Sequence, residues 1–409
     1  MWVVNTPHIT PKIGDTSSNG NLLNYEEVKV SDLLTQIPEV VLEGTPRQRG
    51  RIHGETRKTG ILSHIEQWKT YLEISNQMDP ETYIDQFLEE TNLLQAVKRW
   101  TPELLEEVQG IGEGAGVDFK MIFALQLPDE EWWFQGEKKA QRLSGVGSNV
   151  DHCSAVGVQG QAGNSNFVAQ NVDVPGYFDG HQVLLRIKEP KNNHESLVFS
   201  VDGMVALAGL NNHGIGICCN ALLQLNHSKD GLPVAFVHRG VLSRSNFGDA
   251  IDFVFGIQHA SGQNYIIGDP KQVVGLECSA NKVVEQLPRR EAAILCHTNH
   301  ALLNDDILVR SDPGNSVNMP QPEKVLSDTE IRLNTLTGRM NSFAKPVQVE
   351  EIKSILSSHD PPENPICRHK TSNTATMTLG CLIMELTASP TLYLASSPPC
   401  STTLFPYRF

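Results

Sequence analysis

Asn149-Val-Asp-His-Cys-Ser-Ala-Val-Gly157, followed by Ala169-Gln-Asn-Val-Asp173, is the stretch whose residue types could do chemistry. A free cysteine is ordinarily a small buried hydrophobe, so Cys153 becomes a nucleophile only if something takes its proton. His152 is a poor choice of base, because adjacent side chains on a strand point to opposite faces. Cleavage of the His152–Cys153 bond solves the problem. It would give Cys153 a free α-amino group, whose ordinary pKa of about 7.7–8.0 suits a general base near neutral pH. The same thiol could cut its own precursor by attacking the His152 carbonyl, leaving a thioester for water to resolve.

The elements around this stretch change character at about residue 145. Upstream the pattern reads as mainly helical. Ile61, Ile65, Trp68 and Leu72 fall on one helical face, a second helical stretch is expected over Glu81 to Trp100, and a third runs from Thr101-Pro102 to near Gly110. Leu143 to Asn149 is small and glycine-rich, which reads as an exposed connection. Beyond it strands dominate, expected at Phe167–Gln170, Val183–Ile187, Leu197–Val201, Val205–Ala208, Ile215–Cys219, Tyr265–Gly268, Val273–Glu277 and Ala293–Cys296. Thr376–Leu386 and Thr391–Ala395 read as a final hairpin. Helices are expected between Pro233 and Phe255, over Asp328–Met340 behind the capping box Ser327-x-x-Glu330, and over Val349–Leu356. Strand groups separated by helix pairs suggest layered α+β packing.

Bulk properties exclude several functions. The chain has 409 residues, 39% hydrophobic and 20% charged, with a formal charge of -14, which disfavours nucleic acid and anionic membranes as partners. Arg47, Arg49 and Arg51 read as a solvated face. No signal peptide and no membrane-spanning run is seen, the eight cysteines lack a disulfide framework, and the cytosol is the expected compartment. Gly110 to Gly116 follows a helix and lacks dinucleotide-loop spacing, so it reads as a helix C-cap and turn. His297-Thr-Asn-His300 offers two imidazoles without a third ligand nearby, so the expectation is a polar strand end, no metal and no cofactor.

Eleven ordered motifs make the chain similar to the isopenicillin-N / acyl-coenzyme A:6-aminopenicillanic acid acyltransferase family (peptidase family C45), which includes β-alanyl-amine hydrolases. They include Glu43-Gly-Thr-Pro-x-x-x-Gly-x-x-His-Gly54, Pro102 to Gly116, Asp151-His-Cys-Ser154, Gln170-Asn-Val-Asp173, Gly209-Leu-Asn-Asn-His-Gly214 and Asn220-Ala-Leu222. Ser261-Gly-Gln-Asn-Tyr265, Leu276-Glu277, His297 to His300, Ile366-Cys-Arg-His369 and Pro398-Pro-Cys400 continue the series. The resemblance implies the four-layer αββα sandwich of N-terminal-nucleophile hydrolases. Residues 1–152 would be a mainly helical small subunit and 153–409 the large one, the two fragments of one precursor forming a heterodimer.

The same resemblance assigns roles. Cys153 would be the nucleophile and, with His152, the cleavage site. Asp173 would orient the freed amine, Asn299 would donate to the oxyanion, and Arg368 would favour the thiolate or hold a substrate carboxylate. Asn212 and Asn220 are weaker pocket candidates. His152 stands where the penicillin enzyme has glycine, and Ser154 where it has threonine, which argues against the penicillin-specific activity. The implied reaction is cleavage of a small N-acyl amide through a Cys153 thioester. The alternatives are an N-acyltransferase using acyl-coenzyme A and an amine, an unprocessed binding protein on the same fold, and a peptidase pairing Cys153 with a remote histidine such as His297.

Overall fold

Glycine spacing decides how the first helices meet. In the computed structural model, which describes residues 36–142, 153–160, 163–189, 193–288, 293–308, 326–343 and 346–409, a short strand β1 (Glu39–Glu43) leads into α1 (Pro46–Thr56). Five helices follow: α2 (Lys58–Asn76), α3 (Pro80–Glu89), α4 (Leu93–Trp100), α5 (Pro102–Ala115) and α6 (Phe119–Ala124). The expected third helix does not stop near Gly110 but continues to Gly116, whose φ of 71° caps it. The glycine run is therefore helical, and the reason is contact with α1. A Cβ on Gly50 would lie 1.9 Å from the Glu107 carbonyl oxygen, and one on Gly110 would lie 2.2 Å from that of Arg47. The two backbones touch because neither carries a side chain at the crossing.

Two further expectations change. The stretch from Glu81 to Trp100 breaks into α3 and α4, where Asn92 N–H donates to the Lys229 carbonyl. Arg49 is buried rather than solvated. Its Nε meets Glu107 Oε2 at 3.1 Å, and Arg239 grips the same carboxylate through two nitrogens at 2.6 and 3.0 Å. Burial alone would raise the Glu107 pKa, but these two guanidinium groups hold it below the usual carboxylate value. The face of α2 carrying Ile61, Ile65, Trp68 and Leu72 is buried as its spacing predicts.

After α7 (Pro128–Arg142) the chain builds two sheets. The connection Leu143 to Asn149 and the residue His152 lie outside the described residues. The following elements are β2 (Ser154–Val158), β3 (Asn166–Pro175), β4 (Gln182–Glu189), β5 (His194–Val201), β6 (Ala208–Asn211), β7 (Gly216–Ala221), α8 (Val234–Leu242), α9 (Phe247–Gly256), β8 (Gln263–Gly268), β9 (Val273–Cys278), β10 (Val283–Gln286) and β11 (Ile294–His297). Then come α10 (Asp328–Ser342), α11 (Val349–Leu356), β12 (Thr376–Leu386), β13 (Thr391–Ala395) and β14 (Phe405–Arg408). The strand expected at Val205–Ala208 begins only at Ala208. The hairpin of β12 and β13 has the expected bounds, and the Ser327–Glu330 capping box forms.

The larger sheet has the order β1-β4-β5-β6-β7-β8-β9-β10, and the smaller β11-β2-β3-β12-β13-β14. Strands β2 and β3 pack on β7, β8 and β9, so the sheets stack face to face. Helix α8 covers β6 and β7, while α10 and α11 cover the far face of the smaller sheet. This is the expected α+β sandwich of layers α, β, β, α. Alternation along β2 shows why: Ala155 joins the core between the sheets, whereas Val156 and Val158 join the core under α10 and α11. The segment upstream of residue 152 is not purely helical, since β1 pairs in parallel with β4 and completes the larger sheet. Among the described residues no helix is long and apolar enough to cross a membrane.

Candidate active site

Cys153 stands one residue before β2, which lies between β11 and β3 inside the smaller sheet. Its thiol rests against β3, with Asp173 N–H 3.4 Å from Sγ and Sγ 3.6 Å from the Asp173 carbonyl oxygen. Burial, with the Asp173 charge adding to it, pushes the thiol up to about 12. In this uncleaved chain the sulfur is therefore protonated near neutral pH and needs a base.

Asp173 is buried, and neither carboxyl oxygen makes a well-formed hydrogen bond among the described residues. Burial pushes its carboxyl up to about 7, against the pull of Thr378 and of the Arg368 and Arg332 guanidinium groups. The opposing strand bulges at this point, pairing Thr378 with Asp173 and Gly380 with Val172. Such irregularities re-aim side chains beside functional sites.

Arg332, on α10, ties the constellation together and went unrecognised in the sequence. Fully buried, it donates to the Cys153 carbonyl at 2.8 Å, Ser154 Oγ at 3.1 Å, Asn299 Oδ1 at 3.1 Å and Asp328 Oδ2 at 2.9 Å. Asp328 also accepts from Arg368 Nη2 at 2.7 Å, so Arg368 reaches the site through this carboxylate. The sequence signal was an i,i+4 Asp–Arg pair, which ordinarily marks a solvated helix face.

A mainly apolar pocket opens beside the thiol. Cys153, Asp173 and Asn299 line it together with Asp129, Trp132 and Gln170. Arginine can only donate, so its contact with Oδ1 fixes the Asn299 amide orientation. Nδ2 then donates to the Ala221 carbonyl at 3.1 Å and has a second hydrogen to offer. Asp129 is a further residue that sequence reasoning missed. Its carboxyl accepts from Gln263 Nε2 at 2.8 Å, and burial raises its pKa to about 6.

The remaining candidates do not join this group. Asn212 sits at the hairpin after β6, where it accepts from Glu195 N–H and donates to the Asn193 carbonyl. Asn220 alternates with the pocket-lining Cys219 and Ala221, so it faces the other way and meets Asn264 at 3.2 Å. His297 Nε2 lies 2.8 Å from Glu277 Oε1, and His300 Nδ1 lies 3.0 Å from Thr329 Oγ1. Among the described residues no histidine lines the pocket.

A family model for acyl-coenzyme A:6-aminopenicillanic acid acyl-transferases matches residues 160–397, more than half of the chain. The chain belongs to that family. Membership places it among acyl-transfer enzymes. The stretch matched to the acyl-transferase family holds Asp173, Asn299, Arg332 and Arg368, and Cys153 lies just ahead of it. No curated protein matches the sequence. Similar solved structures include the Caenorhabditis elegans N-acylethanolamine-hydrolyzing acid amidase ortholog, at 15% identity over 57% of this chain and 92% of that one, with a TM-score of 0.38. A mutant of conjugated bile acid hydrolase from Clostridium perfringens shares 12% identity over 63% and 97%, with a TM-score of 0.38. Penicillin V acylase from Agrobacterium tumefaciens shares 12% over 63% and 86%, with a TM-score of 0.39. The αββα layering rests on this chain's own strand order and contacts, not on these distant likenesses.

Proposed function

We propose that the chain is an autoproteolytically activated cysteine amidohydrolase that cleaves a small N-acyl amide through a Cys153 thioester. The observation that carries this reading is the Cys153 thiol facing the pocket beside Asp173 and Asn299, with no imidazole among the described lining residues. In the precursor, burial pushes the Asp173 carboxyl up to about 7, and the Asp173 backbone lies against the thiol that must lose a proton. Sγ attacks the His152 carbonyl carbon, the peptide C–N bond breaks, and its nitrogen gains a proton to become the Cys153 amine. Water then hydrolyses the thioester, releasing a His152 carboxylate and restoring the thiol.

In turnover the freed amine takes the thiol proton while sulfur bonds to the substrate's acyl carbon. Asn299 Nδ2 donates to the oxyanion, and the amine returns the proton to the departing nitrogen. Water completes hydrolysis. Arg332 positions Asn299 and the Cys153 backbone, and Arg368 adds positive charge near Asp173.

The expected products of maturation are two fragments, residues 1–152 and 153–409, together forming the active unit. Denaturing mass spectrometry tests this: the larger fragment should begin Cys-Ser-Ala-Val, and Cys153→Ala should stay whole and inactive. An intact chain with full activity would refute the mechanism. The family match favours one second reading, transfer from acyl-coenzyme A to an amine. Product ratios with and without added amine separate the two, because exclusive capture by the amine removes the hydrolase.

A further inference from the structure

His359, Cys367, His369 and Cys400 bring one ligand atom each to a single point, all four within 4.8 Å of one another. The two sulfurs are 3.5 Å apart, the His359 and His369 Nε2 atoms 3.3 Å, and Cys400 Sγ lies 3.2 Å from His369 Nε2. Zinc–sulfur bonds of about 2.3 Å and zinc–nitrogen bonds of about 2.0–2.1 Å put tetrahedral neighbours roughly 3.3 to 3.8 Å apart. These three spacings correspond to such edges within a few tenths of an ångström. Among the described residues no carboxylate joins the cluster. Two thiolates and two neutral imidazoles suit a borderline-soft divalent ion, and the thiolates cancel its charge.

We infer that these four side chains form a structural zinc site, separate from the Cys153 pocket. Loading it exchanges two thiol protons, released to solvent, for one zinc ion. Four protein ligands close the coordination shell, so the ion would clip segments together rather than take part in chemistry. The segments are the connection from α11 to β12, which carries His359, Cys367 and His369, and the connection from β13 to β14, which carries Cys400. Arg368 stands between two ligands, and its backbone N–H and carbonyl already bond Thr378, the strand partner of Asp173. The clip therefore holds the backbone on both sides of an arginine that reaches the candidate active site. This departs from the expectation of a chain without metal, which had weighed only His297 and His300.

The test is metal analysis of the full chain purified under reducing, chelator-free conditions. About one zinc per chain is expected, with Cys400→Ser and His359→Asn each cutting it to roughly a tenth and the exposed His213→Asn leaving it unchanged. Should those variants fail to fold, cobalt(II) added to chelator-stripped native chain reads the same site through the visible absorption of tetrahedral thiolate coordination. Less than about a tenth of an equivalent of zinc with no cobalt–thiolate absorption overturns the site. So does a Cys367–Cys400 disulfide in the mass spectrum of the reduced preparation. Neither result depends on cleavage at Cys153.

Discussion

A buried thiol pushed up to about 12 is inert, and what surrounds Cys153 determines whether it reacts. Asp173 lies beside the sulfur, while Arg332 holds the Cys153 carbonyl and turns the Asn299 amide nitrogen toward the pocket. The donor on which the proposed reaction relies is then Asn299 Nδ2. Asn299→Ala is expected to lower kcat by about a hundredfold or more with little change in KM, since its contact strengthens only as the oxyanion forms. Steady-state kinetics on the active enzyme checks this, and a rise in KM alone would assign Asn299 to ground-state binding. Cys153, Asp173, Asn299 and Arg368 were all legible through motifs. Arg332 was not, because an arginine on an amphipathic helix shows no sign of burial until the sheet beneath it is known.

The helices of the first segment depend on close backbone approach. Gly50, Gly54, Gly110 and Gly114 recur at four-residue spacing on α1 and α5, and each meets carbonyl or amide atoms of the other helix. Gly110→Ala is expected to cost about 1–3 kcal/mol or more, because the methyl would have to displace backbone rather than a flexible side chain. Gly136→Ala, in α7 with nothing within 4 Å of the added carbon, should instead stabilise by about 0.5–1 kcal/mol. Denaturant melts of both variants decide it, and equal effects would sink the crossing argument. The same comparison explains the misplaced end of α5. A glycine run after a helix reads as its end by local propensity, and only a partner helix outweighs that preference.

Across the molecule, the layered arrangement buries acids that sequence alone leaves ordinary. Burial raises Glu130 to about 8 and Glu131 to about 7, alongside Asp173 at about 7. Each folded value exceeds the unfolded one, so the folded chain holds more protons and stability falls as pH rises toward these values. The buried His53, His64, His238 and His259 are depressed to about 3 to 4, and they weaken the fold only as pH drops below their unfolded value near 6.5. Between about pH 7 and 8 the raised carboxyls, joined toward pH 8 by the buried thiols whose pKa values are also raised, favour the protonated fold, so the thermal midpoint should fall across that window. Glu130→Gln should flatten the slope, and an unchanged slope would show that Glu130 titrates as an ordinary acid. By itself the sequence determined the helical-then-stranded texture, the strands with two-residue alternation, the capped helices and the neighbourhood of Cys153, because these depend on local periodicity and short motifs. Tertiary structure alone decided that Arg49 and Arg332 are buried, that Asn212 and Asn220 turn away from the pocket, and that His359, Cys367, His369 and Cys400 converge. Each of those outcomes depends on which segments meet across the sheets, and no local pattern encodes that. Cys153 belongs to both: its motif marked it, and the stacked sheets placed it at the edge of the pocket.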